Sequence, residues 1–374
     1  MTLYTLSLCG RMTLDLHNLN NEGTEGNQQL TRMVSVVVTD NGKPVVRTVN
    51  AISGDMFKHI QSEHLHKLAL EQHAANAATF PLSKGAKDFD TNRINSATDV
   101  LNLVRQTQQE SGISSTDKRG LQKILAKLEK GAAGEDDEET DEDDTKETAQ
   151  QEKGKGTIPN ARLINRLLQS CAVTDLVGTL ITSGGLSLPR KSCIEFGWVV
   201  GVPDLTKSDS LFHVKYDPRG RGEGAGTEEN TGQTIFHRPL NSGVYAVVAH
   251  AELFRIGRND VTLDYAIDVP QRLLRAKALL QSLWYTFVKT GGAQRNTQHP
   301  HVLSFEGAIA TSAQASVPAP TSSPLSDGYR EEIDGTGQAL NRLSANAVAV
   351  RRFASQAEFG NRMADLIENL QVPN

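Results

Sequence analysis

The chain has 374 residues, a formal net charge of −5 and 38% hydrophobic residues, which is enough for a sizeable core in one large domain or two ordinary ones. Its three cysteines, Cys9, Cys171 and Cys193, show no paired spacing, which speaks against a disulfide framework or a zinc knuckle and suits a reducing cytoplasm. No run reaches the roughly 18 apolar residues of a membrane span, and Tyr4, Leu6 and Leu8 alternate with Thr5, Ser7 and Cys9 as a strand does, unlike a signal peptide.

The charge is unevenly spread. Residues 135–152 contain eleven acids and one lysine, which leaves the rest of the chain at +5 and free to form a basic patch.

In chain order, a strand is expected over 3–9, a Gly- and Asn-rich loop over 18–28, and strands over 34–39 and 45–50 joined by an Asn41-Gly42 turn. Ser53 stands where an N-cap belongs. Met56, Phe57, Ile60, His64, Leu65 and Leu68 follow at helical spacing, so a helix is predicted over 54–75. Residues 95–130 read as two helical pieces, one opened by a Ser96/Asp99 capping box and one carrying the stripe Leu121, Ile124, Leu125 and Leu128. The acidic tract, 131–157, is too charged to pack and is expected to be a disordered loop; mimicry of nucleic acid is its functional alternative.

A short helix is expected over 161–171, on Leu163, Leu167 and Leu168, then strands over 193–202, 210–216, 233–237 and 243–254, with the glycine-rich segment 217–231 as a hairpin tip. The second long helix, 269–289, starts at Pro270 and stops before Gly291-Gly292. A strand over 301–308, a linker over 316–336 and a helical segment over 338–371 complete the chain. The order implies an α+β fold, a ferredoxin-like or RNA-recognition-motif sheet with large insertions.

Three stretches are candidates for binding. The first, His17 to Asn27, has glycines that let backbone N–H groups approach an anion and amides that suit phosphate, ribose and bases. Next, Ser53-Gly54 opens a helix whose first-turn amides can seat a phosphate, with Lys58 one turn inside. Gly291 to Arg295 forms a third polar-basic turn. Each stretch also reads as an ordinary surface loop, N-cap or glycine stop. Their joint placement at the ends of one sheet is what makes convergence worth testing.

Other chemistry lacks local support. His59, His64, His66 and His73 share one helix without HExxH or CxxC spacing, and no GxxxxGK[ST], GxGxxG or GxSxG motif sits where its chemistry needs it. No cofactor or metal is expected.

The pattern Gly10-Arg11-Met12-Thr13, Asn18-Leu19-Asn20-Asn21-Glu22-Gly23-Thr24-Glu25-Gly26-Asn27, Arg32 and Ala51-Ile52-Ser53-Gly54-Asp55-Met56-Phe57-Lys58-His59 resembles the start of the DevR branch of CRISPR Cascade backbone subunits. Weaker similarity returns at 249–257 and 291–301. The resemblance implies a non-catalytic RNA-binding protein that oligomerises along crRNA and presents guide bases for pairing with target DNA. It divides the chain into a first palm part (1–78), helical fingers (79–190), a second palm part (191–315) with a β-hairpin thumb at 203–240, and a C-terminal segment (316–374). The RNA-binding positions it implies are Arg11, Asn18, Asn20, Asn21, Gly26, Asn27, Arg32, Ser53, Gly54, Lys58, His59, Gly292, Gln294 and Arg295, with Phe212, His213, Phe236 and His237 on the thumb. Implied partners are further copies, capping, large and guide-processing subunits, and a nuclease-helicase or transposition proteins, with no membrane. The alternative is a backbone subunit of an RNA-targeting effector that cuts target RNA with a loop aspartate, for which Asp15 or an acid of the acidic tract would serve.

Overall fold

Alternating apolar residues open a long strand, β1 (Thr5–His17), whose Leu6, Leu8, Met12 and Leu14 enter one core while Cys9 enters another on the opposite face. A computed structural model describes residues 2–90, 93–94, 97–132, 157–216 and 233–374. β1 runs eight residues past the expected 3–9, because it pairs with strands on both sides along its length. Gly10 has no side chain because a Cβ there would lie 2.7 Å from the Glu306 carbonyl oxygen of a neighbouring strand.

The Asn-rich loop partly folds into a small hairpin, β2 (Asn21–Glu25) and β3 (Gln28–Thr31), turned at Gly26 with φ +57°. β4 (Met33–Asp40) and β5 (Lys43–Ile52) follow, joined as expected by Asn41-Gly42, both with positive φ. Helix α1 (Gly54–Ala75) matches its predicted bounds, and the Ser53 side chain accepts the Met56 N–H.

Next come α2 (Lys84–Lys87), α3 (Ala97–Gln108), α4 (Ser115–Ala132), α5 (Thr157–Ser170) and α6 (Ala172–Val177). The two expected helical pieces are α3 and α4, with Leu121 and Leu128 buried. Ser96 and most of the acidic tract lie outside the described residues, as does the segment 217–231.

β6 (Thr179–Ile181) and β7 (Leu188–Arg190), which were not expected, form a small separate sheet. β8 (Ile194–Phe196), β9 (Val199–Tyr216) and β10 (Gln233–Glu252) replace the four short strands expected over 193–254. The expected gaps close because β9 and β10 pair with each other from Gln233/Tyr216 down to Ala246/Val200, across one register shift. α7 (Val269–Val288) is capped by Asp268, with Pro270 in its first turn.

β11 (His301–Ser312), α8 (Tyr329–Leu343), β12 (Val348–Phe353) and α9 (Gln356–Glu368) complete the fold. Two expectations fail here. The 316–336 linker contains the start of α8, and the 338–371 helical segment is interrupted by β12, which pairs with β11 through Phe353 and Val348.

Among the described residues ten strands join one sheet, with the order β12-β11-β1-β10-β9-β5-β4 along its main path. Pairings are antiparallel except for a bridge between β3 and β10 at Gln28 and His237. α1 and α7 pack together, tied by Gln61 Nε2 donating to Ser282 Oγ at 2.7 Å. The opposite face is covered by α8 and the segment before it: Tyr329 and Ile333 pack against Cys9, and Ser7 Oγ donates to the Ala319 carbonyl at 3.1 Å. The molecule is thus an α+β structure built on one large antiparallel sheet.

Behind the sheet a charge cluster locks the elements. Asp175 on α6 accepts from Arg190 Nη2 and Arg275 Nη1, each at 2.7 Å, and from the Gly257 N–H, with both ion pairs fully buried. Burial pushes the neighbouring Cys193 thiol up to about 12, so it stays protonated. All three cysteines are buried and free. No helix of the described residues is long and apolar enough to cross a membrane.

Candidate RNA-binding edge

β1 ends at His17 and delivers residues 18–20 to the edge of the sheet, where α1 begins. Buried Asn20 links the two: its Oδ1 accepts the Ser53 hydroxyl at 3.0 Å. Ser53 in turn accepts the Met56 N–H, so loop, cap and helix start form one hydrogen-bonded unit. Gly54 is required by close approach, since a Cβ would meet the Phe196 carbonyl oxygen at 2.5 Å.

The late turn joins the same place. A Cβ on Gly292 would lie 2.7 Å from both the Cα and the carbonyl oxygen of Leu19, and the Ala293 N–H donates to that carbonyl at 3.3 Å. Gln294 Nε2 donates to Gln29 Oε1 on β3, and Arg295 Nη1 donates to both carboxylate oxygens of Glu63 on α1, at 2.8 and 3.1 Å. The three candidate stretches, far apart in the chain, therefore meet.

The hairpin of β9 and β10 reaches this edge too. His237 N–H donates to the Asn27 carbonyl at 2.9 Å, and Gln298 Nε2 donates to the Pro239 carbonyl at 3.0 Å. Opposite one another in register, Phe212 faces His237 and His213 faces Phe236. The first pair meets edge to face at 5.6 Å and the second stacks at 5.5 Å. Phe212 remains 59% exposed.

Several buried polar atoms here have no hydrogen-bond partner among the described residues: both atoms of the Asn18 amide, His17 Nε2, His213 Nε2, Gln294 Oε1 and Gln298 Oε1. Burial lowers the His17 pKa from 6.5 to about 3, so the ring is neutral, and its Nδ1 accepts the Leu19 N–H. Lys58 is held below its ordinary value by burial and then by nearby Arg93; Asp55 and Glu195 oppose the shift. Its ammonium makes no hydrogen bond or close ion pair among the described residues, which leaves a half-buried cation open to an outside anion.

Several expected residues are engaged by the fold itself or lie at the margin of the cluster. Arg11 faces away, with Nε donating to the Pro324 carbonyl and Nη2 pairing with Asp327 at 2.8 Å. Arg32 is committed to Glu22 at 2.9 Å and to the Trp198 ring. His59 pairs with Glu63 and contacts the Phe89 ring, Gly26 and Asn27 form the exposed tip of the small hairpin, and Asn21 lies in β2. Asp15 lies near the end of β1 opposite His301. His64, His66 and His73 each hydrogen-bond a backbone carbonyl, and no group of three His, Cys, Asp or Glu residues is gathered for a metal among the described residues.

Lys191 and Trp198 were not singled out in the sequence. Both line a recess of about 420 Å³ together with Ser53, Gly54 and Lys58. Trp198 is one of only two tryptophans in the chain, which is the signal that the sequence offered.

A family model described as CRISPR-associated negative auto-regulator DevR/Csa2 matches residues 8–334. Among solved structures, a chain of a CRISPR RNA-guided surveillance complex, pre-nicking, aligns at 14% identity and a TM-score of 0.44, covering 96% of this chain and 99% of that one. A chain of a CRISPR RNA-guided surveillance complex aligns at 10% identity and a TM-score of 0.40, with the same coverages. No curated protein matches the chain.

Proposed function

Because the chain belongs to the CRISPR-associated DevR/Csa2 family, we propose that it is the repeated backbone subunit of an RNA-guided surveillance complex in the cytoplasm, gripping the sugar-phosphate chain of crRNA without altering it chemically. The observation that carries this reading is the meeting of the Asn-rich loop, the start of α1 and the 291–295 turn at one edge. Amide groups, close-packed glycine turns and Lys58, which has no ion-pair partner among the described residues, supply donors and positive charge without a sequence-reading element.

In this reading β11, β1, β10 and β9, with α1 and α7 as crossovers, form the RNA-recognition-motif palm. The helices between α1 and β6 are the fingers and the β9–β10 hairpin is the thumb. Identical copies then stack through a heterologous contact, in which one face meets a different face of the next copy, and capping subunits end the array. Base pairing between guide and target DNA provides specificity, so the protein reads backbone and shape.

The test is titration of the purified chain with single-stranded RNAs of unrelated sequence over a range of salt. Affinity is expected to be similar for all sequences and to fall with salt. Lys58→Ala and Arg295→Ala should each weaken binding evenly and flatten the salt slope by about one unit. Absence of binding, or losses confined to particular sequences, would contradict backbone gripping.

A further inference from the structure

We propose that Trp198 is a stacking platform that receives one base of the bound single-stranded RNA in the recess beside α1, an inference that rests on the RNA-binding reading above. Trp198 is 46% exposed, although a tryptophan ordinarily buries most of its ring. Its backbone is firmly placed. Gly197 N–H donates to the Val248 carbonyl at 2.9 Å, and the preceding Phe196 packs its ring on Phe57 and its carbonyl over Gly54.

The ring is held in turn by Arg32, whose guanidinium carbon lies 5.3 Å from its centroid. Arg32 is anchored at both ends: Nε donates to Glu22 at 2.9 Å, and its carbonyl accepts from the Ala51 N–H and the Asn50 amide. An aromatic that is open to solvent but fixed in position loses little freedom on binding, which favours stacking.

The recess selects a base over a bare phosphate. Lys58 and Lys191 line it, but so do Asp55 and Glu195, so its formal charges cancel. Inside the recess the carboxylates offset the two cations, so a neutral planar base can stack on the indole while its phosphate stays at the rim, where Lys58 and the Asn-rich edge can meet it. Every base has a π-face, so the platform adds affinity without strong sequence choice.

The chain's second tryptophan, Trp284, packs against Gly360 in the core and does not line the recess, so the indole signals can be separated. In the full chain carrying Trp284→Phe, binding of a short mixed-sequence single-stranded RNA should quench the remaining fluorescence. With Trp284 retained, Trp198→Phe should abolish the quenching and bind nearly as tightly as wild type, while Trp198→Ala weakens binding about tenfold. RNA binding without quenching in the Trp284→Phe chain, or undiminished affinity in Trp198→Ala, overturns the platform alone. No RNA binding by the wild type overturns the RNA reading and the platform with it.

Discussion

Behind the sheet, Asp175 holds Arg190 and Arg275 with both side-chain pairs at 0% exposure, whereas at the turn-lined edge Arg295 pairs with Glu63 while 57% of its side chain stays in water. The same residue type serves two purposes. In the interior, burial alone would lower the Arg190 pKa, but Asp175, then Cys193 and Asp260, raise it on balance, so the charges hold one another in place. At the edge, water screens the pair, and its contribution to stability falls in the range of about 0–1 kcal/mol. Charges behind the sheet are satisfied internally; the charge at the edge is only loosely engaged.

The largest effect is expected from Asp175→Asn, which leaves buried Arg275 without a counter-charge and Arg190 with only the partly exposed Asp260. Unfolding in urea should show a loss of about 3–5 kcal/mol. A loss no larger than that of an exposed pair would show that the cage does not lock the elements.

His17 lies between the two regimes, buried yet at the edge. Its folded pKa is lowered from 6.5 to about 3, so the unfolded chain takes up the proton first as pH falls. Its contribution is therefore full above about pH 6.5 and is lost progressively down toward pH 3, on the order of 2–3 kcal/mol by pH 4.5 at 1.36 kcal/mol per unit. Urea midpoints measured against pH should fall less steeply in His17→Gln; parallel curves would assign the acid limb to other groups.

The smallest of these effects sharpens the edge itself. Gly292→Ala forces a Cβ against Leu19 and should cost about 1–3 kcal/mol in thermal melts while weakening RNA binding. Wild-type stability and affinity in that variant would mean the two turns are not locked together.

The candidate site was legible only as three separate stretches, since amides, glycines and a helix cap are visible one residue at a time. Their convergence was not, because the contacts joining them span long separations: Asn20 to Ser53, Leu19 to Gly292, Glu63 to Arg295. Arg11 and Arg32 show what the sequence alone does not reveal about a basic residue, namely its partners within the fold. Both are cations in the expected pattern, yet internal carboxylates, a carbonyl and a ring engage them.

By itself the sequence determined the elements whose signals lie within a few residues. Ser53 with its Met56 partner starts α1, Asn41-Gly42 turns β4 into β5, and Asp268 with Pro270 starts α7. Only the tertiary structure decided how far β1, β9 and β10 extend, that β12 is a strand, and that Trp198 stands open beside α1. A cap or tight turn is stabilised by its own neighbours, whereas a strand's length depends on partners elsewhere: β1 reaches His17 because residues 241–252 and 301–312 lie on either side of it.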